Sequence, residues 1–235
     1  TEHLKTSQKA RDEFVRLKQE ITDVKGKELF QNNLSNIFIC ARKRSGKSSL
    51  IGNILKKMAD KRTTIIIFSS TANIDPCWIN IKDMLEEKKP NIMTGDGVYL
   101  KFGGEAEKEK VKKPYIPKKS VPKYILCFDD LSSDLRHISV IKNLKSNRHR
   151  GIMNILSSQY FLDLNTGAMA NLDYMIVFKG QDEDKLEKIH KRLDLGIDYD
   201  TFKRYYEYAV KDPYCFLYID IRNDEYRKNF NERLK

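Results

Sequence analysis

Short, nearly all-apolar runs alternate along this chain with segments whose apolar residues recur at three- and four-residue steps. The runs Asn36–Cys40, Thr64–Phe68, Tyr124–Phe128, Ile152–Ser157, Tyr174–Phe178 and Tyr214–Ile219 have the length and composition of buried strands. Between them, residues 47–60, 78–88, 134–147, 182–193 and 199–210 carry helical periodicity. A strand buried on both faces needs helices above and below it, so this alternation predicts an α/β fold: a mostly parallel sheet with helices on both faces. Residues 1–31 predict a basic, amphipathic helical extension, with Phe14, Leu17, Ile21 and Val24 on one stripe. The main domain is expected over residues 32–222, and a helical tail over 223–235. Residues 103–123 break the alternation. They are rich in lysine and glutamate, with prolines at 114, 117 and 122, and predict a long exposed loop.

Composition narrows the classes. A chain of 235 residues suits one α/β domain with additions at its ends. No apolar run approaches the roughly 18–20 residues that span a bilayer, and the opening Thr1-Glu-His-Leu-Lys-Thr6 has no apolar signal region, so no membrane partner is expected and a cytosolic or nuclear setting is. Cys40, Cys77, Cys127 and Cys215 lie far apart and have no metal-like spacing to the four histidines, which predicts buried free thiols and no transition-metal site. A formal net charge of +11 favours a polyanionic partner, nucleic acid first, because neutralised phosphates release condensed counterions.

The candidate chemistry sits where a strand meets a helix. Ala41-Arg42-Lys43-Arg44-Ser45-Gly46-Lys47-Ser48 follows an apolar strand and opens an apolar-faced helix. It matches the phosphate-binding P-loop pattern except at its first position, where alanine replaces glycine. Loop amides and the helix N-terminus through Ser49 would direct partial positive charge at phosphates. Lys47 would add a full charge at the β/γ oxygens, and the Ser48 hydroxyl would ligate Mg²⁺. A second run, Lys123-Tyr-Ile-Leu-Cys-Phe-Asp129-Asp130, ends a strand in paired carboxylates, the form of a Walker B motif. There Asp129 is expected to hold the metal shell and Asp130 to orient and deprotonate water. Gln159 ends the next strand, at the sheet edge where doubly wound folds bind ligands, as a polar sensor of phosphate or water. Arg148 and Arg150 precede that strand, and three readings stay open for them: a trans-acting arginine finger, a contact to DNA phosphates, or a solvated helix end.

This order of parts resembles the FtsK–HerA superfamily of DNA-pumping ATPases, in particular the genome-packaging ATPases of nucleocytoplasmic large DNA viruses and virophages. The likeness rests on the Lys47-Ser48 P-loop, Phe128-Asp129-Asp130, Asn147-Arg148-His149, Ser158-Gln159, Phe178-Lys-Gly-Gln181 and the strand Tyr214–Ile219, and covers about residues 35–220. The resemblance implies an ASCE, RecA/FtsK-like core that binds ATP and Mg²⁺. Lys47, Ser48 and Asp129 would hold the Mg-nucleotide, Asp130 would act as acid/base and Gln159 as sensor, and an arginine near 148 would act in trans. It also implies a homo-oligomeric ring, expected to be a hexamer, around double-stranded DNA gripped without reading its sequence. A capsid or portal-vertex protein would be its partner, in the host cytoplasm or a viral factory, or on the virion. Two other functions fit the motifs: a nucleotide or polynucleotide kinase, and a non-hydrolysing DNA-binding assembly protein.

Overall fold

The computed structural model describes residues 28–86, 90–95 and 121–235. The amphipathic stripe expected at Phe14–Val24 and most of the expected Lys/Pro-rich loop lie outside those residues.

Nine strands form one sheet: β1 (Asn36–Cys40), β2 (Thr64–Phe68), β3 (Asn91–Gly95), β4 (Tyr124–Asp129), β5 (Ile152–Ser158), β6 (Tyr174–Phe178), β7 (Phe216–Asp220), β8 (Glu225–Lys228) and β9 (Glu232–Arg233). Their order is β3-β2-β4-β5-β1-β6-β7-β8-β9. The first six in that order are parallel, and β7 to β9 continue antiparallel. Among the described residues the α-helices are α1 (Lys47–Met58), α2 (Pro76–Glu86), α3 (Ile138–Arg150), the single turn α4 (Thr166–Met169), α5 (Glu183–Leu193) and α6 (Tyr199–Ala209). Among the described residues no helix is long and apolar enough to cross a membrane.

Period-two alternation sorts each strand between two cores. Phe38 and Cys40 of β1 face one core, with Leu144 of α3, Ile189 of α5 and Phe202 of α6. Ile37 and Ile39 face the other, with Ile51 and Ile54 of α1 and Trp78 of α2. Helices therefore cover both faces, as the apolar strands require. The two helices of the second face pack closely: a Cβ on Gly52 would come 2.8 Å from Ile81 Cγ1, so α1 needs a glycine there. Phe68 and Phe128, register partners on β2 and β4, stack at 4.9 Å, a cross-strand pair that fixes the strand carrying the paired acids.

At the amino edge of the parallel strands a buried amide chain pins α3 to the sheet. Asn143 Nδ2 donates to Asn154 Oδ1 (2.5 Å), and Asn154 Nδ2 donates to Asn36 Oδ1 (2.7 Å). Asn36 Nδ2 in turn donates to the carbonyls of Leu144 and Asn171. Next to it the buried Asp173 accepts from the Asn36 amide and pairs with both Arg148 and Arg222. Buried polar groups are costly unless bonded, and at this edge the amides of Asn36 and Asn154 and the Asp173 carboxylate all find partners, while Asn143 Oδ1 has none among the described residues.

Two boundaries differ from expectation. Leu29 and Phe30 are buried in the core, and Phe30 packs on Tyr174 and Phe230, so the domain begins before residue 32. Residues 223–235 are not a helical tail: β8 and β9 extend the sheet, with Tyr226 fully buried. Apart from Tyr226 both strands are charged, Glu225-Tyr-Arg-Lys228 and Glu232-Arg233, and charged side chains suit the rim of a sheet.

Replacing Asn36 with alanine orphans the Asn154 amide and two carbonyls at once. The expected loss is about 2–3 kcal/mol in urea unfolding, and a loss below about 1 kcal/mol would contradict a cooperative amide chain.

Candidate functional site

The loop between β1 and α1 turns on two left-handed residues, Arg44 (φ 63°) and Gly46 (φ 94°). Alanine at 41 is thereby explained. Ala41 is fully buried at the end of β1, its amide donating to the Ser158 carbonyl at 3.0 Å, and the turn that needs glycine comes five residues later. Gly46 caps α1, whose first turn contains no acidic side chain, leaving its N-terminus open to an anion.

The two acids reach this loop from β4. Because β5 lies between β1 and β4, register places Ser157 beside Ile39 on one side and Asp129 on the other. Ser157 Oγ donates to Asp129 Oδ1 at 2.5 Å, and Trp78 Nε1, from α2, donates to Oδ2 at 2.9 Å. Lys47 Nζ completes the set, 2.8 Å from Asp129 Oδ1 and 4.0 Å from Asp130 Oδ1. Asp129 is only 5 % exposed, and donors from three elements surround it. Asp130 differs. It takes a left-handed backbone (φ 56°), its amide bonds the Ser157 carbonyl, and its carboxylate stands exposed at the rim.

These groups line one cleft of about 450 Å³, a volume in the range of small-ligand sites. Arg42, Lys43, Arg44, Gly46, Lys47, Ser48 and Ser49 form one wall, Asp129 and Asp130 the floor, and Thr71, Asp75 and Cys77 the opposite wall. Thr71, Asp75, Cys77, Trp78 and Ser157 carry no motif signal. Two sequence features point to the last two of them: polarity at the end of an otherwise apolar strand (Ser157) and a lone tryptophan in a helical segment (Trp78).

The donor set fits Mg²⁺. A hydroxyl (Ser48), one buried carboxylate (Asp129) and an open rim supply hard oxygens, with positions left for water and for a ligand's own oxygens. Among the described residues no group of three or more His, Cys, Asp or Glu is placed to hold a metal ion.

Two further expected site residues are placed elsewhere. Gln159 follows β5 at the same edge and is half-buried, with its carbonyl accepting from Cys40 Sγ at 3.6 Å, but it is not among the residues that line the cleft. Arg148 lies in the last turn of α3, at the amino edge, where its guanidinium pairs with Asp173 at 2.9 Å. The helix runs back across the sheet from the acids, so its C-terminus cannot reach the phosphate loop of its own chain.

No family model matches the sequence, and no curated protein matches it. Solved structures do. The genome packaging NTPase B204 from Sulfolobus turreted icosahedral virus 2, in complex with AMPPCP, superposes with a TM-score of 0.54 at 18% identity, covering 83% of this chain and 97% of that one. B204 from Sulfolobus turreted icosahedral virus, described as a DNA-packaging ATPase, gives 0.54 at 21% identity over 83% and 97%. The fold is that of a P-loop NTPase. At this identity the likeness concerns architecture, and the site rests on its own geometry.

The thiols offer a direct check of the cleft. All four are free; Cys40 and Cys127 are buried, while Cys77 and Cys215 are half-exposed, against the expectation that all would be buried. Burial pushes Cys40 up to about 12 and Cys127 well above the usual thiol range, so neither forms thiolate at pH 8. Alkylation at pH 8 is expected to modify Cys77 and spare Cys40 and Cys127, as read by peptide mass spectrometry. Mg²⁺ with inorganic tripolyphosphate is expected to slow the Cys77 reaction several-fold, where sodium chloride of equal ionic strength does not. An unchanged Cys77 rate would contradict an anion site in this cleft.

Proposed function

We infer that the protein is an ATP-hydrolysing motor that moves double-stranded DNA into a viral capsid. The observation that carries the catalytic half is Lys47 meeting Asp129 and Asp130 at the N-terminus of α1, in one cleft. The motor half is supported by the packaging role of the structural neighbours and by the +11 formal charge.

The cleft residues divide the chemistry between them. Amides of the loop and the first turn of α1 receive the phosphate chain, and Lys47 leaves Asp129 to contact the β/γ oxygens. Ser48 and Asp129 would hold Mg²⁺, which when bound would neutralise charge on the phosphoryl group. Trp78 and Ser157 keep the Asp129 carboxylate from rotating. Asp130, exposed and unpaired with Trp78 or Ser157, is the base that orients and deprotonates the attacking water. Gln159 is assigned as sensor at the same sheet edge.

A ring supplies what one chain lacks. Arg148 belongs to the amino edge, so it can serve only a neighbour's cleft. Asp173 would keep Arg222 as its partner if Arg148 left, which makes that exchange affordable for the fold. Basic side chains around the channel would grip the DNA backbone and leave base edges unread.

Steady-state phosphate release tests this reading. Wild-type turnover is expected to rise several-fold with long double-stranded DNA and to fall about 100-fold or more in Lys47→Ala and Asp130→Asn, the scale typical of losing an electrostatic or acid–base group. Turnover indifferent to DNA would remove the motor. Transfer of phosphate to a 5′-hydroxyl end or a nucleoside monophosphate instead of water would make it a kinase, and binding without turnover an assembly protein.

A further inference from the structure

Tyr214 stands out from the aromatic residues of the molecule. It is 73% exposed and its backbone is left-handed (φ 62°), an uncommon state for a bulky side chain. Exposing an aromatic ring forfeits the transfer energy that usually buries it, and the left-handed turn adds local strain. Nothing in the core benefits from either.

The surroundings hold the residue there. Tyr214 lies between α6 and β7, in a turn where the Cys215 amide donates to the Asp212 carbonyl. Asp212 is paired with Lys228 of β8 at 2.6 Å. Asn229, just after β8, accepts from the Phe216 amide and donates to Cys215 Sγ. Phe216 is buried against Phe178 and Phe230. The C-terminal strands thus brace the turn from both sides of Tyr214.

The braced ring meets the phosphate loop. A Cβ on Gly46 would lie 3.2 Å from Tyr214 Cδ1 and within 4 Å of its Cβ and Cγ, so one edge of the ring rests on the residue that caps α1. Sheet order gives this contact a direction. The acids arrive on β4, two strands to one side of β1, and Tyr214 arrives ahead of β7, two strands to the other side. A ligand whose terminal phosphates sat at Lys47, beside Asp129 and Asp130, would have room to pass its uncharged end over Gly46 toward Tyr214, on the side away from those carboxylates.

We propose that Tyr214 is the platform on which the base of the bound nucleotide stacks, and that β8 with its following turn exists to hold that platform. The assignment rests on the reading of the cleft as a nucleoside triphosphate site. Stacking is tolerant of base identity, since every base presents a π-face, so this contact supplies affinity for nucleotides in general and little discrimination among them.

Equilibrium binding of Mg-ATP and of Mg-tripolyphosphate to wild type, Tyr214→Ala and Tyr214→Phe tests it. Tyr214→Ala is expected to weaken ATP about tenfold or more, the scale of one base–aromatic stack, and to leave tripolyphosphate unchanged. Tyr214→Phe is expected to bind ATP as wild type does. The platform is overturned if Tyr214→Ala holds ATP like wild type, or loses ATP and tripolyphosphate in equal proportion. A wild-type protein that binds neither ligand overturns the triphosphate site together with the platform.

Discussion

The contact between Lys47 and Asp129 organises the carboxyl edge of this sheet. A carboxylate at 5 % exposure is stable only with donors around it, and three elements converge to supply them: α1 through Lys47, α2 through Trp78 and β5 through Ser157. Desolvation offsets much of the Coulomb gain of such a pair, so it stabilises the fold less than its short distance suggests. In the proposed site that near-balance would let Lys47 exchange Asp129 for phosphate oxygens at small net cost, with a metal ion taking its place at the carboxylate.

The two edges of the parallel sheet contrast in how they treat polar groups. At the amino edge Asn36, Asn154 and Asp173 are buried and bonded to fixed partners, which locks α3 and the β1–β6 junction in place. At the carboxyl edge the loop amides, the α1 N-terminus and Asp130 face an open cleft. A rigid base beneath an open rim is the arrangement that lets a ligand be recognised by groups already in position. The antiparallel extension β7 to β9 adds a third part, carrying an exposed tyrosine to the side of the loop opposite the acids.

Much of this could be read from residues adjacent in the chain. The apolar runs marked β1, β2 and β6 to the residue, because a strand covered on both faces is apolar at nearly every position. β3 escaped notice: Asn91-Ile-Met-Thr-Gly is short, half polar and lies at the edge, where only one neighbour must be satisfied. The sequence of β8 and β9 predicts a helical tail because its few apolar residues, such as Tyr226, gain their meaning only from pairing with β7. The P-loop and the paired acids were legible since each is a contiguous motif. Trp78, Ser157 and the wall of Thr71, Asp75 and Cys77 were not, since register and helix packing alone bring them to Asp129. The place of Arg148 was likewise a matter of topology, set by a helix that ends at the edge away from the cleft.

A structure determined with Mg²⁺ and a non-hydrolysable ATP analogue addresses the exchange of partners directly. Lys47 Nζ is expected to move from Asp129, 2.8 Å away without ligand, to within hydrogen-bond distance of the terminal phosphates, with the metal between Ser48 and Asp129. Lys47 still paired with Asp129, and the analogue bound elsewhere or not at all, would contradict the assignment of this cleft.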